Sequence, residues 1–231
     1  LETTSGTPSA STFLRGDGTW DAPASSGFVE MKVYTASATG GWTKPAGVTK
    51  LIVEVQGGGG GGSRSTTSSW ICGAPAGGYV RAFIDVTNID SADLVVGAAG
   101  AGVVGAGGGA QGTDGGATSF TKAASGGGSG SFTALVANGG PKALNSYETS
   151  TAGTGGTGPA GCLIITSGNT SGGLSTHWFG GDSMFGFGGV PAYASYTQLP
   201  NASGYGAGGA GGYNITTGNG SPGIIIVMEY K

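Results

Sequence analysis

The distribution of glycine constrains this chain more than any other feature. Runs lie at 57–62, 97–116, 126–130, 153–161, 180–189 and 204–212, interleaved with hydrophobic segments. Ordering such runs is costly, because glycine loses more backbone freedom on folding than any other residue. A phosphate-cradling loop occurs once in a domain, whereas these runs recur. Collagen requires glycine at every third position, and "GGGGGG" (57–62), "GAGGGAQGTDGG" (105–116) and "GYGAGGAGG" (204–212) break that register. A flexible linker has no need to alternate with apolar strands. The remaining solution is an array of polyproline-II-like glycine helices with three residues per turn and no internal hydrogen bonds. Their outward N–H and C=O groups bond to neighbouring helices, so the backbone is satisfied laterally. Such an array has to be clamped by a β core and flanking aromatics.

The 54 glycines and 9 prolines among 231 residues reach a share at which an aperiodic chain is ordinarily disordered. Disordered chains, however, have few aromatics and many charges, and here each class makes up 9%. Strand patterns are also plain. "FVEMKVYTA" (28–36) alternates Val29, Met31 and Val33 with Phe28, Glu30, Lys32 and Tyr34. "GGWTKPAGVT" (40–49) reads as a turn and "KLIVEVQ" (50–56) as a buried strand. "GYVRAFIDV" (78–86) sets Val80, Ala82, Ile84 and Val86 on one face. Shorter strands are predicted at 93–97, 133–139 and 162–166, and "GIIIVMEY" (223–230) is a strong closing strand. That last strand needs partners, and the best are 28–36 and 50–56. No window has helical periodicity with caps. The expected fold is all-β, with a β-sandwich-like base carrying polyglycine-II-type helices and loops and negligible α-helix. Residues 1–27, small, polar and turn-rich, read as a linker or the end of a shaft; residues 28–231 read as one glycine-rich domain.

The formal charge is −3, and the 9 Lys and Arg residues are scattered. Nucleic-acid binding needs clustered cations to displace phosphate counterions, so it is not expected. No apolar run approaches the ~20 residues of a membrane span, and no signal segment opens the chain. The start at Leu1 marks an expected fragment of a longer protein. Cys72 and Cys162, far apart, form neither a disulfide framework nor a metal set, and read as free thiols or small buried hydrophobes rather than a bridge.

Two stretches carry a family resemblance. "GTPSASTFLRGDGTW" (Gly6 to Trp20) closely resembles a sequence that recurs in the tail fibres of tailed bacteriophages. "WTKPAGVTKLIVEVQGGGGGG" (Trp42 to Gly62), followed by "GGYVRAFIDV", "LVVGAAGAG" and "GNGSPGIIIVMEY", resembles the glycine-rich C-terminal domain of such fibres. The chain is also similar to glycine-rich adhesins whose stacked polyglycine helices hold variable loops. The resemblance implies a fibre-tip domain, ordinarily homotrimeric, made in the host cytoplasm and carried at the distal end of the tail fibre in the virion. Its implied partner is a bacterial surface glycan (lipopolysaccharide) or an outer-membrane protein.

The motifs that suggest catalysis are weak. After Gly62 come Ser63 and Arg64, not the Lys-Ser/Thr of a phosphate loop, and no helix follows. "RGD" (15–17) reads as a turn with a charged pair. "GGAQGTDGG" (Gly108 to Gly116) approximates a calcium-binding nonapeptide, but its Asp is one residue late and the motif is not repeated. "GGDSMF" (Gly180 to Phe185) resembles the serine block of a hydrolase family. The single histidine, His177, lies upstream of Ser183 and not in a downstream Asp-x-x-His context, and no paired Asp/Glu share a segment. No enzyme activity, cofactor or metal is expected.

Aromatics crowd the last third of the chain. Those beside glycine pairs (Phe185, Phe187, Tyr205, Tyr213) read as covers for glycine helices. Those within polar loops (Trp70, Tyr147, Trp178, Tyr193, Tyr196) read as receptor contacts, because rings supply large contact area at small entropic cost. The segment "SRSTTSSW" (63–70) is expected to be the first exposed loop. The expected function is receptor binding. The alternatives are a structural trimerisation or spacer domain, with recognition carried by another protein, and a capsule-degrading enzyme.

Overall fold

A computed structural model describes residues 7–16, 18–21, 27–65, 73–144, 156–159, 162–169, 173–174, 177–190 and 198–231. The described residues contain strands, turns and extended segments, with no α-helix. Nine strands build the base: β1 (Phe28–Tyr34), β2 (Ala38–Thr43), β3 (Lys50–Gln56), β4 (Tyr79–Asp85), β5 (Ser91–Val95), β6 (Thr118–Lys122), β7 (Leu135–Ala137), β8 (Ile164–Thr166) and β9 (Ile224–Tyr230). A five-stranded sheet has the order β8-β4-β3-β9-β1, and a four-stranded sheet the order β7-β6-β5-β2. Every pairing in both sheets is antiparallel.

The closing strand β9 lies between β1 and β3, with Val227 opposite Lys32 on one side and Val53 on the other. The two sheets face each other across one core. Leu51, Val53, Val55, Val80, Ala82, Ile84, Ile225 and Val227 come from the larger sheet, and Trp42, Ala92, Leu94, Phe120 and Leu135 from the smaller. This is the period-two burial of a sandwich. The half-buried Cys162 packs against this core as a free thiol, and burial raises its pKa. Cys72 lies outside the described residues.

One polar group crosses the core. The Glu229 carboxylate, fully buried on β9, accepts the Trp42 indole N–H at 2.8 Å and the Lys32 ammonium at 2.8 Å. Burial acts to lower the pKa of Lys32, but the hydrogen bond and charge of Glu229 outweigh it and leave the ammonium above its ordinary value. The residues 40–49 therefore do not form a simple turn. Gly40, at φ 58°, and Gly41 bend β2 so that Trp42 enters the core and tilts on Phe120 at 6.1 Å.

The strands run on into glycine segments. Residues 57–62 leave β3, 97–102 leave β5 and 138–143 leave β7, while 74–78, 112–116 and 217–221 lead into β4, β6 and β9. With 206–210, six segments surround 57–62. The N–H groups of Gly58 and Gly61 donate to Gly116 and Thr113, those of Gly59 and Gly62 to Ser221 and Gly218, and those of Gly57 and Gly60 to Gly78 and Pro75. Each neighbour is thus met every third residue, the period of a polyproline-II-type helix. The carbonyls of Gly58 and Gly61 accept from Gly140 and Ala143, that of Gly59 from Gly100 and that of Gly60 from Gly209. The three N–H acceptors run antiparallel to 57–62, and the three segments that donate to it run parallel. A polyglycine-II lattice is therefore present, as the glycine runs predict.

The run at 126–130 is not part of this lattice. It is a turn beside Asn88 and Asp90, with Gly126 and Gly128 at positive φ. Conversely, 74–78, 138–143 and 217–221 join the lattice with few glycines.

Candidate functional site

Both ends of the lattice are pinned by side chains. At the base, the buried Gln56 amide donates to the carbonyls of Gly77 (2.9 Å) and Gly78 (3.0 Å). Gly206, at φ 77°, lies so close that a Cβ there would strike this side chain. At the far end, the Arg64 guanidinium donates to the carbonyls of Val104, Gly105 and Gly108, and so shapes that turn. Polar side chains of 214–219 accept the amides of the facing segment: Asn219 from Gly102, Thr217 from Val103, Thr216 from Gly105 and Asn214 from Gly107. Asp114 accepts the Lys142 N–H at 2.7 Å. Residues 112–116 of the nonapeptide-like stretch are thus a lattice segment. Among the described residues no three His, Cys, Asp or Glu side chains converge as metal ligands would.

An outer layer extends the lattice. Asn169 accepts the Ala76 N–H, Gly181 donates to Ala74 and accepts from Gly208, and Gly189 donates to Gly208 and accepts from Gly180. Between 182 and 188 the chain makes an excursion whose strand Phe185–Phe187 pairs antiparallel with Ser203–Tyr205. Asp182 closes its neck by accepting the Gly188 N–H at 2.7 Å. The Ser183 hydroxyl accepts the Phe185 N–H and donates to the Tyr205 carbonyl, so it is engaged in shaping this excursion.

The excursion presents side chains outward. Phe185 turns in, edge-on to Tyr79 at 5.7 Å, where burial holds the Tyr79 phenol far above its ordinary pKa. Phe187 is 74% exposed, and Phe179, Met184 and Val190 are also exposed. A groove of about 620 Å³ is lined by Asn169, Phe179, Gly180, Asp182, Phe187, Gly188 and Val190. A second groove, of about 300 Å³, shares Asn169 and Asp182 with the first and continues past Thr166, Ser167, Ser183 and Met184. Among the described residues neither lining contains a Lys or Arg. The surface offers phenyl rings, aliphatic groups, a carboxylate and an amide. It can pack against apolar faces and hydrogen-bond neutral polar groups, and it lacks the cations that an anion would need.

Of the predicted contact residues, Trp178 lies in the two-residue strand His177–Trp178, paired with Gly173–Leu174 and directly before Phe179. Trp70, Tyr147, Tyr193 and Tyr196 lie outside the described residues. The sequence reading missed Phe179, Asp182, Met184 and Val190. It also assigned Phe187 and Tyr213 as covers, and both are exposed. Phe185 and Phe187 share a face, but among the described residues only Phe185 has a ring beneath it, and proximity to glycine in sequence does not reveal that.

The stretch 63–70 begins differently from the expected exposed loop. Ser63, Arg64 and Ser65 are buried, because Arg64–Ser65 pairs in parallel with Gly212–Tyr213 and the guanidinium is consumed by carbonyls; residues 66–70 lie outside the described set. The RGD arginine pairs with Asp21 at 3.0 Å across a hairpin of Phe13–Leu14 and Trp20–Asp21.

A comparison with curated proteins gives no match. A family model described as "Glycine-rich domain" matches residues 35–230, from the end of β1 through the lattice to the last residue of β9, and the chain therefore belongs to that glycine-rich domain family.

Proposed function

We propose that the chain is the receptor-binding tip of a bacteriophage tail fibre, a non-enzymatic adhesin at the distal end of the fibre in the virion. The observation that carries this reading is the pair of adjoining grooves, where Phe179, Phe187, Met184 and Val190 are held exposed on a hydrogen-bonded glycine lattice. Exposed apolar groups on a rigid support are expensive to keep unless they bind something. The resemblance of Gly6 to Trp20 and of the strand–glycine order to tail fibres supplies the biological setting. Linings without cations suit the neutral sugar rings of a surface glycan, or apolar side chains of an outer-membrane protein, better than phosphate groups. Several tips on one virion multiply a modest single-site affinity.

The test is adsorption. The purified chain should bind susceptible cells in a panel of Gram-negative strains and compete with a phage carrying the same tip. The double variant Phe179→Ser, Phe187→Ser should lose at least about tenfold in binding, roughly 1.4 kcal/mol, with its melting temperature unchanged. A wild-type chain that neither binds nor competes overturns the reading. Full binding by the double variant would move recognition away from the grooves. The alternative of a structural spacer, with recognition carried by another protein, draws support from the outer face of the five-stranded sheet, where Phe28, Met31, Val33 and Phe83 are exposed.

A further inference from the structure

Between Lys142 and Lys231 the sequence contains no Lys or Arg. Of the acidic residues in that interval, Glu229 is buried on Lys32, Glu148 lies outside the described residues and Asp182 is exposed. Asp182 lines both grooves. Its Oδ1 accepts the Gly188 N–H at 2.7 Å, which fixes the carboxylate at the neck of the excursion. Its other oxygen accepts no hydrogen bond among the described residues. All 9 Lys and Arg lie within the described segments, and none forms an ion pair with Asp182. The shared part of the two grooves thus holds a carboxylate without a cation. Apolar side chains flank it along each groove: Phe179, Phe187 and Val190 in the larger, Met184 in the smaller. Met184 and Val190 are each 55% exposed.

We propose that the two grooves together hold an extended polypeptide segment of the receptor, with a Lys or Arg side chain seated at Asp182 and apolar side chains on either side. The inference rests on the adhesin reading above and names the partner of that same site. Charge selects the occupant. An exposed carboxylate without a cation attracts an ammonium or guanidinium group and repels phosphate and carboxylate. The formal charge of −3 acts in the same direction. Shape selects the polypeptide. In an extended chain alternate side chains share a face. An apolar–basic–apolar order at every second residue therefore presents one cation between two apolar groups, which matches one carboxylate between apolar walls. A sugar ring instead carries hydroxyls around its rim that must exchange water for protein partners. In the larger groove only Asn169 and Asp182 have polar side chains. The smaller adds Thr166 and Ser167, while the Ser183 hydroxyl is already committed to Phe185 and Tyr205.

Binding of the purified full chain to susceptible cells tests it in two ways. The first treats the cells. Proteinase K, which strips surface polypeptide, should abolish binding, and periodate, which cleaves the vicinal diols of glycans, should leave it intact. Binding that survives the protease, or that periodate abolishes, overturns the polypeptide partner and leaves the adhesin reading standing. A chain that binds no untreated cells overturns that reading, and this inference with it. The second treats the site. Asp182→Asn keeps an oxygen for the Gly188 N–H and removes the charge, so its melting temperature should match that of the wild type. In low salt, about 0.02 M, the variant should bind at least about fivefold more weakly. The gap should close at about 0.5 M salt, where exposed charges are screened. Equal binding by variant and wild type in low salt, or a gap indifferent to salt, would show that no cation sits at Asp182 and would overturn the proposal.

Discussion

An alanine at position 60 would drive its Cβ into the carbonyl oxygen of Pro141, and backbone on both sides prevents relief. Nothing lies within 4 Å of the corresponding point at Gly108. Two chemically identical substitutions should therefore differ sharply. Gly60→Ala should cost more than about 4 kcal/mol or prevent folding, whereas Gly108→Ala should stay within about 0.5 kcal/mol. Urea unfolding of the two variants measures both. The uninterrupted run at 57–62 made its own requirement legible, because every position there faces a neighbouring backbone. The requirement at 74–78 was not legible. There Ala74, Pro75 and Ala76 are buried within the lattice without being glycine, and Pro75 serves as an acceptor without needing an N–H. The proposed contact residues follow the same logic. Phe187 and Phe185 look alike in sequence, and the location of Tyr79 beneath Phe185 separates the half-buried ring from the exposed one.

Among the elements, β3, β4 and β9 were readable from alternation and β-branched residues, and so was the placement of β9 between its two partners. The second sheet was less readable. β2 contains Gly40 and Gly41 and β6 is rich in hydroxyls, so neither shows a hydrophobic period, and their place is set by Trp42 and Phe120 meeting in the core. The link from Trp42 to Glu229 joins the smaller sheet to the larger one. Trp42→Phe keeps a ring in the core but withdraws the donor from a buried carboxylate. The expected loss is about 2–4 kcal/mol, combining a hydrogen bond to a charged group with lost volume. Chemical denaturation at neutral pH checks it, and a loss below about 1 kcal/mol would show that Lys32 alone satisfies Glu229.

For the whole molecule, the strands and the glycine helices form one continuous structure, since six lattice segments are direct extensions of base strands. The sandwich sets the spacing at one end, and Arg64 with the polar row 214–219 ties the other. The functional reading depends on this continuity, because exposed side chains at 179–190 bind well only if their support does not move. Native-state hydrogen exchange reads that property residue by residue. The amides of Gly58 to Gly62 should be protected to nearly the same degree as those of Leu51 to Val55 in β3, despite having no side chain and no regular sheet around them. Exchange of those glycine amides at the rate of the exposed turn 104–108 would contradict the account, for the runs would then be flexible connections and not a scaffold.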